Sequence, residues 1–318
     1  MRDDSFRFLK GFAMGAANVI PGVSGGTIAF ITGIYERLID ALKRIDLTTI
    51  RMVLDFRLKD AWERIDGRFL TALGLGVVVS ILSLARFLKW GFEHHSVLVW
   101  AFFFGLIAAS LPAVGKLVRR WSRGALGALV LGAGVALSMA FLTPASENDH
   151  PFYLIVCGVV ATCSMIIPGL SGSFVLLLMG NYKLIMIEAV NALSSGELGE
   201  ALRILVPVGI GGVVGVVALA RVLSWLFSTW HDIAVALIAG FIAGSLVIIW
   251  PWKDTLTETF VRKGEEKEKI IGFEHWHMPD FGVGATWSAL GVMMGGVVLI
   301  VLLEVFAARS SPGEGKDA

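Results

Sequence analysis

The chain has 318 residues, 56% of them hydrophobic and 17% charged, with a mean hydropathy of +0.76 and a net charge of +1. That balance is too apolar for a soluble domain of this length, and the net charge says nothing about nucleic acid, because what matters is where the charges sit. The two cysteines, Cys157 and Cys163, share one apolar block and have neither metal-site spacing nor a disulfide framework.

In chain order, the N-terminal MRDDSFRFLKG carries acids and no A-x-A cleavage pattern, so no removable signal peptide is expected. It runs into an apolar region, about Phe6–Ile39, broken in the middle by Pro21-Gly22-Val23-Ser24-Gly25. Proline removes a backbone donor and glycine resists helix, so the region reads as two half-helices joined by a loop. Three blocks of membrane-spanning length follow: Phe69–Trp90, Val97–Gly115 and Gly124–Leu142. A second broken region, Pro151–Val190, carries Pro168-Gly169-Leu170-Ser171-Gly172, and after it come Leu202–Phe227, Ile233–Trp250 and Val283–Phe306.

The two broken regions repeat one phrase. NVIPGVSGGTIAFITGIY at Asn18–Tyr35 matches MIIPGLSGSFVLLLMGNY at Met165–Tyr182, with Pro21 and Pro168 lying 147 positions apart. Further on, Leu84-Ala85-Arg86 matches Leu219-Ala220-Arg221 at an offset of 135, as Gly105 matches Gly240. Charge placement gives the topology. Arg2, Arg7 and Lys10 precede the first motif, and Arg37, Lys43, Arg44, Arg51 and Arg57 follow it, so both flanks are cytoplasmic and the motif is a re-entrant hairpin. A hairpin plus three spans is an odd number of crossings, which inverts the second half. The expected fold is therefore all-α and polytopic, with two inverted repeats over residues 1–145 and 146–318 in one membrane domain and both termini cytoplasmic. Inverted repeats with discontinuous helices are the pattern of secondary transporters, which bind substrate at the repeat interface.

The chemistry points to an anion. Each loop opens a half-helix whose free N–H groups and dipole favour negative charge. Ser24, Thr27, Ser171 and Ser173 add hydroxyls, while Gly25, Gly26 and Gly172 let a ligand approach the backbone. The competing reading is that glycine and serine here only permit close helix packing. Arg86 and Arg221 sit late in matched spans, where a buried charge marks a pathway unless the side chain snorkels toward Trp90 and Trp225. Coupling or gating candidates are Asn18, Tyr35, Glu36, Tyr182, Glu188 and Glu304, of which Asn18 faces Met165 in the other half. Glu36 and Lys183 hold the same repeat position with opposite charge, which argues against one shared task. The histidines, including His94-His95 and His275/His277 in expected outer loops, form no ligand set. No cofactor and no catalytic acid–base or nucleophile set can be assembled, so an enzyme is not expected.

The run at Asn18–Tyr35, its echo at Met165–Tyr182, and FFGLIAASLP at Phe103–Pro112 resemble a bacterial membrane family. Once described as a domain of unknown function, it was later assigned as polyprenyl-phosphate transporters. The resemblance covers about Gly11 to Phe306. It implies translocation of undecaprenyl phosphate from the outer to the inner leaflet of the bacterial cytoplasmic membrane, recycling a lipid carrier for peptidoglycan and other envelope polymers. The partners expected on this reading are undecaprenyl phosphate, membrane lipids and a coupling proton or sodium ion, and the small-residue faces would allow a homodimer. The alternative is an ion-coupled transporter for a small soluble anion. Ser173 in place of the second glycine and Met165 in place of Asn18 set the two half-sites apart.

Overall fold

The computed structural model describes residues 2–18, 24–262 and 265–310. Helices dominate. In chain order they are α1 (Arg2–Asn18), α2 (Gly25–Ile31), α3 (Tyr35–Lys43), α4 (Leu47–Leu54), α5 (Leu58–Arg64), α6 (Gly67–Lys116) and α7 (Arg123–Met139). The second half has α8 (Pro151–Ile166), α9 (Gly172–Leu178), a π-helical turn at Leu184–Glu188, α10 (Ala189–Ser195), α11 (Leu198–Ser245), strands β1 (Asp254–Arg262) and β2 (Glu265–Glu274), and α12 (Gly284–Ser310).

Four of the described helices are long and apolar enough to cross a membrane: two arms of α6 (Gly67–Leu84 and His94–Lys116), α11, and Gly284–Leu302 of α12. Their outward faces are apolar, with Leu82, Val213 and Val301 all at least half exposed, a surface that lipid accommodates and water does not. One sequence reading changes. His94-His95 is not a loop, because α6 runs through it with a kink at His95 (φ −143°, ψ 46°). Between Trp250 and α12, β1 and β2 pair antiparallel. α11 bends at Trp230 (φ −135°, ψ 57°), the counterpart of His95 at the offset of 135.

Both hairpins fold back in the same way. α2 ends at a left-handed glycine, Gly33 (φ 69°), and α9 at its match, Gly180 (φ 75°). Around each, the same two carbonyls are capped. Gly33 and Ile34 donate to Phe30 and Ala29, and Gly180 and Asn181 donate to Leu177 and Leu176. This is the helix-ending geometry that glycine adopts without steric penalty. A long side chain from the first limb then holds the return limb. Lys10 Nζ donates to the Thr32 carbonyl at 2.7 Å, and Tyr153 Oη to the Met179 carbonyl at 2.8 Å, with Thr32 and Met179 in matched places. Seven-residue α2 and α9 rise only about 10 Å, so each return limb is much shorter than the 17-residue α1 or the 16-residue α8 it folds against.

Glycines set the helix spacing, and they do so twice. A methyl at Gly11 would overlap the Leu73 carbonyl and one at Gly76 the Phe8 carbonyl, joining α1 to α6. A methyl at Gly158 would overlap the Val208 carbonyl and one at Gly211 the Ile155 carbonyl, joining α8 to α11 through the matched residues. The third helices repeat this with exchanged partners. Gly105 of α6 abuts Met293 of α12, whereas Gly240 of α11 abuts Leu129 of α7. Small residues at such crossings let backbones approach where no hydrophobic force drives them together. Helices from residues 1–145 and 146–318 thus interleave.

The segment between the first hairpin and α6 has no equal in the second half. α4 and α5 form an elbow closed by an ion pair between Arg64 and Asp46 at 2.8 Å. It leaves Leu47, Leu54 and Phe56 exposed beside Arg51, an amphipathic surface of interfacial type.

Candidate functional site

The two polar loops meet. Ser24 Oγ donates to the Met165 carbonyl at 3.0 Å, and the Gly169 N–H donates to Thr27 Oγ1 at 2.8 Å. A methyl on Gly26 would overlap the Ile166 carbonyl. Ser24 and Thr27 are 2% and 1% exposed, so this polar contact lies inside the bundle, where each such bond matters because no water replaces it. Behind Gly169 (φ 85°) stands the backbone of Phe241 in α11, which leaves no room for a side chain. The second loop is therefore clasped between α2 and the C-terminal arm of α11.

The first loop is closed on itself. Its residues 19–23, including Pro21 and Gly22, lie outside the described residues, but the N–H groups of Gly25, Gly26 and Thr27 each have an acceptor. The Gly25 N–H donates to Asn18 Oδ1 at 2.7 Å, Gly26 to Ser24 Oγ at 3.1 Å, and Thr27 to the Ser24 carbonyl at 3.0 Å. Those three bonds satisfy the first-turn donors that a helix N-terminus ordinarily leaves open.

The second loop is not closed. Ser171, the N-cap of α9, makes no side-chain capping bond. Its Oγ and that of Ser173 lie 3.1 Å apart, bonded only to each other, and both residues are half-buried. Among the described residues, the N–H groups of Gly172 and Ser173 have no hydrogen-bond acceptor. Two sequence differences account for this: Ser173 replaces Gly26 and its hydroxyl engages Ser171 Oγ, and Met165 replaces Asn18. Asn18 lies against Gly25, and Met165 lies against Gly172, but a thioether cannot take the N–H as the amide does.

The other expected residues are scattered. Arg221 is exposed on α11, and no hydrogen bond or ion pair ties it to either loop among the described residues. The side chains of Arg86 and Glu304 lie outside the described residues. Glu36 pairs with His231 Nε2 at 3.4 Å, just past the α11 bend, and Asp232 accepts from the Arg119 and Arg120 N–H groups. Tyr35 is 2% exposed, stacked edge-on against Phe30 and Phe227, and its hydroxyl has no partner among the described residues. Glu188 pairs with Lys183 at 3.2 Å, and Tyr182 packs beside the Leu154–Leu184 cluster.

One residue escaped the sequence reading. Lys253, which follows the apolar block Ile233–Trp250, is 9% exposed. Its ammonium lies 3.8 Å from the Trp100 ring centroid and 4.7 Å from that of Phe273, and it donates to the Trp250 carbonyl at 2.6 Å. Burial pushes this lysine down to about 6, while the ring faces and the carbonyl offset part of the lost hydration. Phe273 also packs on Phe174 of α9, 6.1 Å between centroids, so the lysine stands one ring away from the open loop. The signal was the tetrad Trp250-Pro251-Trp252-Lys253, a cation set among aromatics at the end of a span.

A bundle of apolar helices in which two broken helices meet through buried polar loops defines a multi-pass α-helical membrane protein. The chain belongs to the VCA0040-like, undecaprenyl phosphate translocase-like family, whose model matches residues 14–267. It is 34% identical over 307 residues to a polyprenyl-phosphate transporter of Vibrio cholerae, covering 95% of this chain and 96% of the relative. It is 28% identical over 255 residues to a polyprenyl-phosphate transporter of Staphylococcus aureus, covering 76% and 85%. No solved structure matches the chain. By name the family consists of transporters rather than enzymes.

Proposed function

We propose that the chain translocates undecaprenyl phosphate across the bacterial cytoplasmic membrane, from outer to inner leaflet, by alternating access. It thereby returns a lipid carrier to envelope polymer synthesis. The family and the names of its relatives support the substrate. The observation that carries the site is the buried junction of the two loops, Ser24 to Met165 and Gly169 to Thr27.

In this reading residues 1–145 and 146–318 are inverted repeats that enter from opposite faces, with N- and C-termini cytoplasmic. Their duplicated glycine contacts and the asymmetric cations of the loops favour that arrangement. The phosphate is received at Ser171, Gly172 and Ser173, whose hydroxyls and N–H groups are free to turn toward an anion. Ser24, Gly25, Gly26 and Thr27 brace that loop and approach the headgroup as the two halves part. Arg86 and Arg221, near opposite ends of the pathway, steer the anion in and out. Glu36, Glu188 and Glu304 are the acids available to couple a proton or sodium ion, with Asn18, Tyr35 and Tyr182 at the hairpin ends where gating would act. No covalent bond is made or broken, so nothing in the site needs a nucleophile or general base.

The test is competition. Purified protein should bind undecaprenyl phosphate, and inorganic phosphate should displace it only at far higher concentration. If inorganic phosphate competes equally well, the chain is a transporter for a small soluble anion.

A further inference from the structure

Beside the loops the structure holds a cleft of about 540 Å³ that no part of the phosphate site uses. It lies between the C-terminal arm of α6, the end of α7 and the end of α11. Its walls include Phe104, Phe141, Leu246, Val247, Trp250 and Trp276. The lining is almost wholly apolar, and the aromatic walls are fixed in place. Trp276 Nε1 donates to the Val247 carbonyl at 2.9 Å, Trp250 Nε1 to the His277 carbonyl at 3.0 Å, and Phe141 stands 5.3 Å from the Trp276 ring. The indole donors are thus satisfied by backbone, and the ring faces are left for an apolar guest. The size is that of a ligand site rather than a packing defect.

The Lys253 amine stands at one end of this cleft, where burial disfavours its charge until an anion comes beside it. The Trp250 carbonyl takes the Lys253 ammonium, while the Trp250 ring packs on Phe104 at 5.2 Å. Phe104 lies one helical turn from Trp100, the ring beneath that ammonium. From Lys253 the contacts continue through Phe273 to Phe174, two residues past Gly172. An apolar trough, a buried lysine and an open polar loop are therefore joined by consecutive contacts. That sequence of surfaces fits an amphiphile with one anionic head and one long chain.

The geometry points to this cleft as the seat of the isoprenoid chain of a polyprenyl phosphate, with Lys253 between the chain and the headgroup loop. The assignment rests on the reading under Proposed function and adds to it the place of the tail. The flat, methyl-branched and unsaturated chain lies against the indole and phenyl faces, and the cleft opens along one side so that the remainder stays in lipid. In the proposed topology this is the outer-leaflet end of the bundle, where the lipid is collected. A zwitterionic phospholipid has a chain for the trough but a headgroup ill-matched to a lone lysine.

The experiment compares chain lengths. Leu137 lines the cleft from α7 and is 39% exposed, so tryptophan can enter there without displacing a core residue. Leu126, on the same helix outside the cleft, is the control. Binding of undecaprenyl phosphate and of geranyl phosphate is measured for the wild type, Leu137→Trp and Leu126→Trp in nanodiscs, with thermal unfolding of each. The expected result is that Leu137→Trp loses about tenfold in affinity for the long lipid, equivalent to about 1.4 kcal/mol. Its affinity for geranyl phosphate and its unfolding temperature should stay the same, and Leu126→Trp should match the wild type. Unchanged long-chain affinity in a folded Leu137→Trp protein overturns the tail site, as does equal competition by phosphatidylethanolamine. Failure of the wild type to bind either prenyl phosphate would instead overturn the function itself.

Discussion

The loop that ends at Thr27 and the loop that ends at Ser173 carry nearly the same residues and do different work. In the first, Asn18 caps Gly25, Ser24 caps Gly26, and the remaining hydroxyls reach across to the other loop. In the second, Met165 stands where Asn18 would, and among the described residues the N–H groups of Gly172 and Ser173 have no acceptor. Two matched helix breaks thus differ in how their first-turn donors are met, and under the proposed function the less capped copy is the one that receives the phosphate.

That contrast can be broken at its tightest point. In Gly26→Ala the new methyl meets the Ile166 carbonyl, a backbone atom that cannot rotate away, so the loops must separate. The expected loss is about 2–3 kcal/mol of stability, read as a lowered unfolding temperature in nanodiscs. An unchanged temperature would mean that the loops are not in contact. A smaller change sharpens the contrast. Asn18→Met gives the first loop the residue of the second, removes the Gly25 acceptor, and should destabilise by about 1 kcal/mol. The amide exchange of Gly25, followed by hydrogen–deuterium exchange, should speed up in this variant. If it stays as slow as in the wild type, the amide is not what closes the loop.

Much of this was legible in the sequence, and the limits have physical causes. The doubled motif, the matched glycines 33 and 180, and the offsets of 147 and 135 are local or periodic features, and a chain must write those explicitly. The substitution of Met165 for Asn18 was visible too, as a mark of unequal halves. Its consequence was not visible, because it depends on which N–H each side chain faces after the hairpin closes. Contact between the loops is likewise tertiary: Ser24 and Met165 are joined by packing that no short pattern encodes. His95 and Trp230 bend their helices without proline or glycine at the bend, so the break was read as a loop in one case and a span boundary in the other. The β1–β2 ribbon was hidden by its charges. Thr255, Thr257, Thr259, Phe260 and Val261 favour strand, but the acids and lysines around them read as solvated loop. Lys253 was masked for the same reason, since a cation in a charged loop gives no hint that a ring from β2 will cover it.

The most direct measurement is flipping itself. Undecaprenyl phosphate is placed in both leaflets of proteoliposomes, a membrane-impermeant phosphatase is added outside, and loss of the inner-leaflet pool is followed for the wild type and for Ser171→Ala/Ser173→Ala. The two hydroxyls bond only to each other, so their loss should leave the unfolding temperature nearly unchanged. Two lost hydrogen bonds to a charged headgroup, at about 1.5–3 kcal/mol each, should slow translocation at least about tenfold. A folded double variant that moves the lipid at the wild-type rate would contradict the assignment of the open loop as the phosphate site.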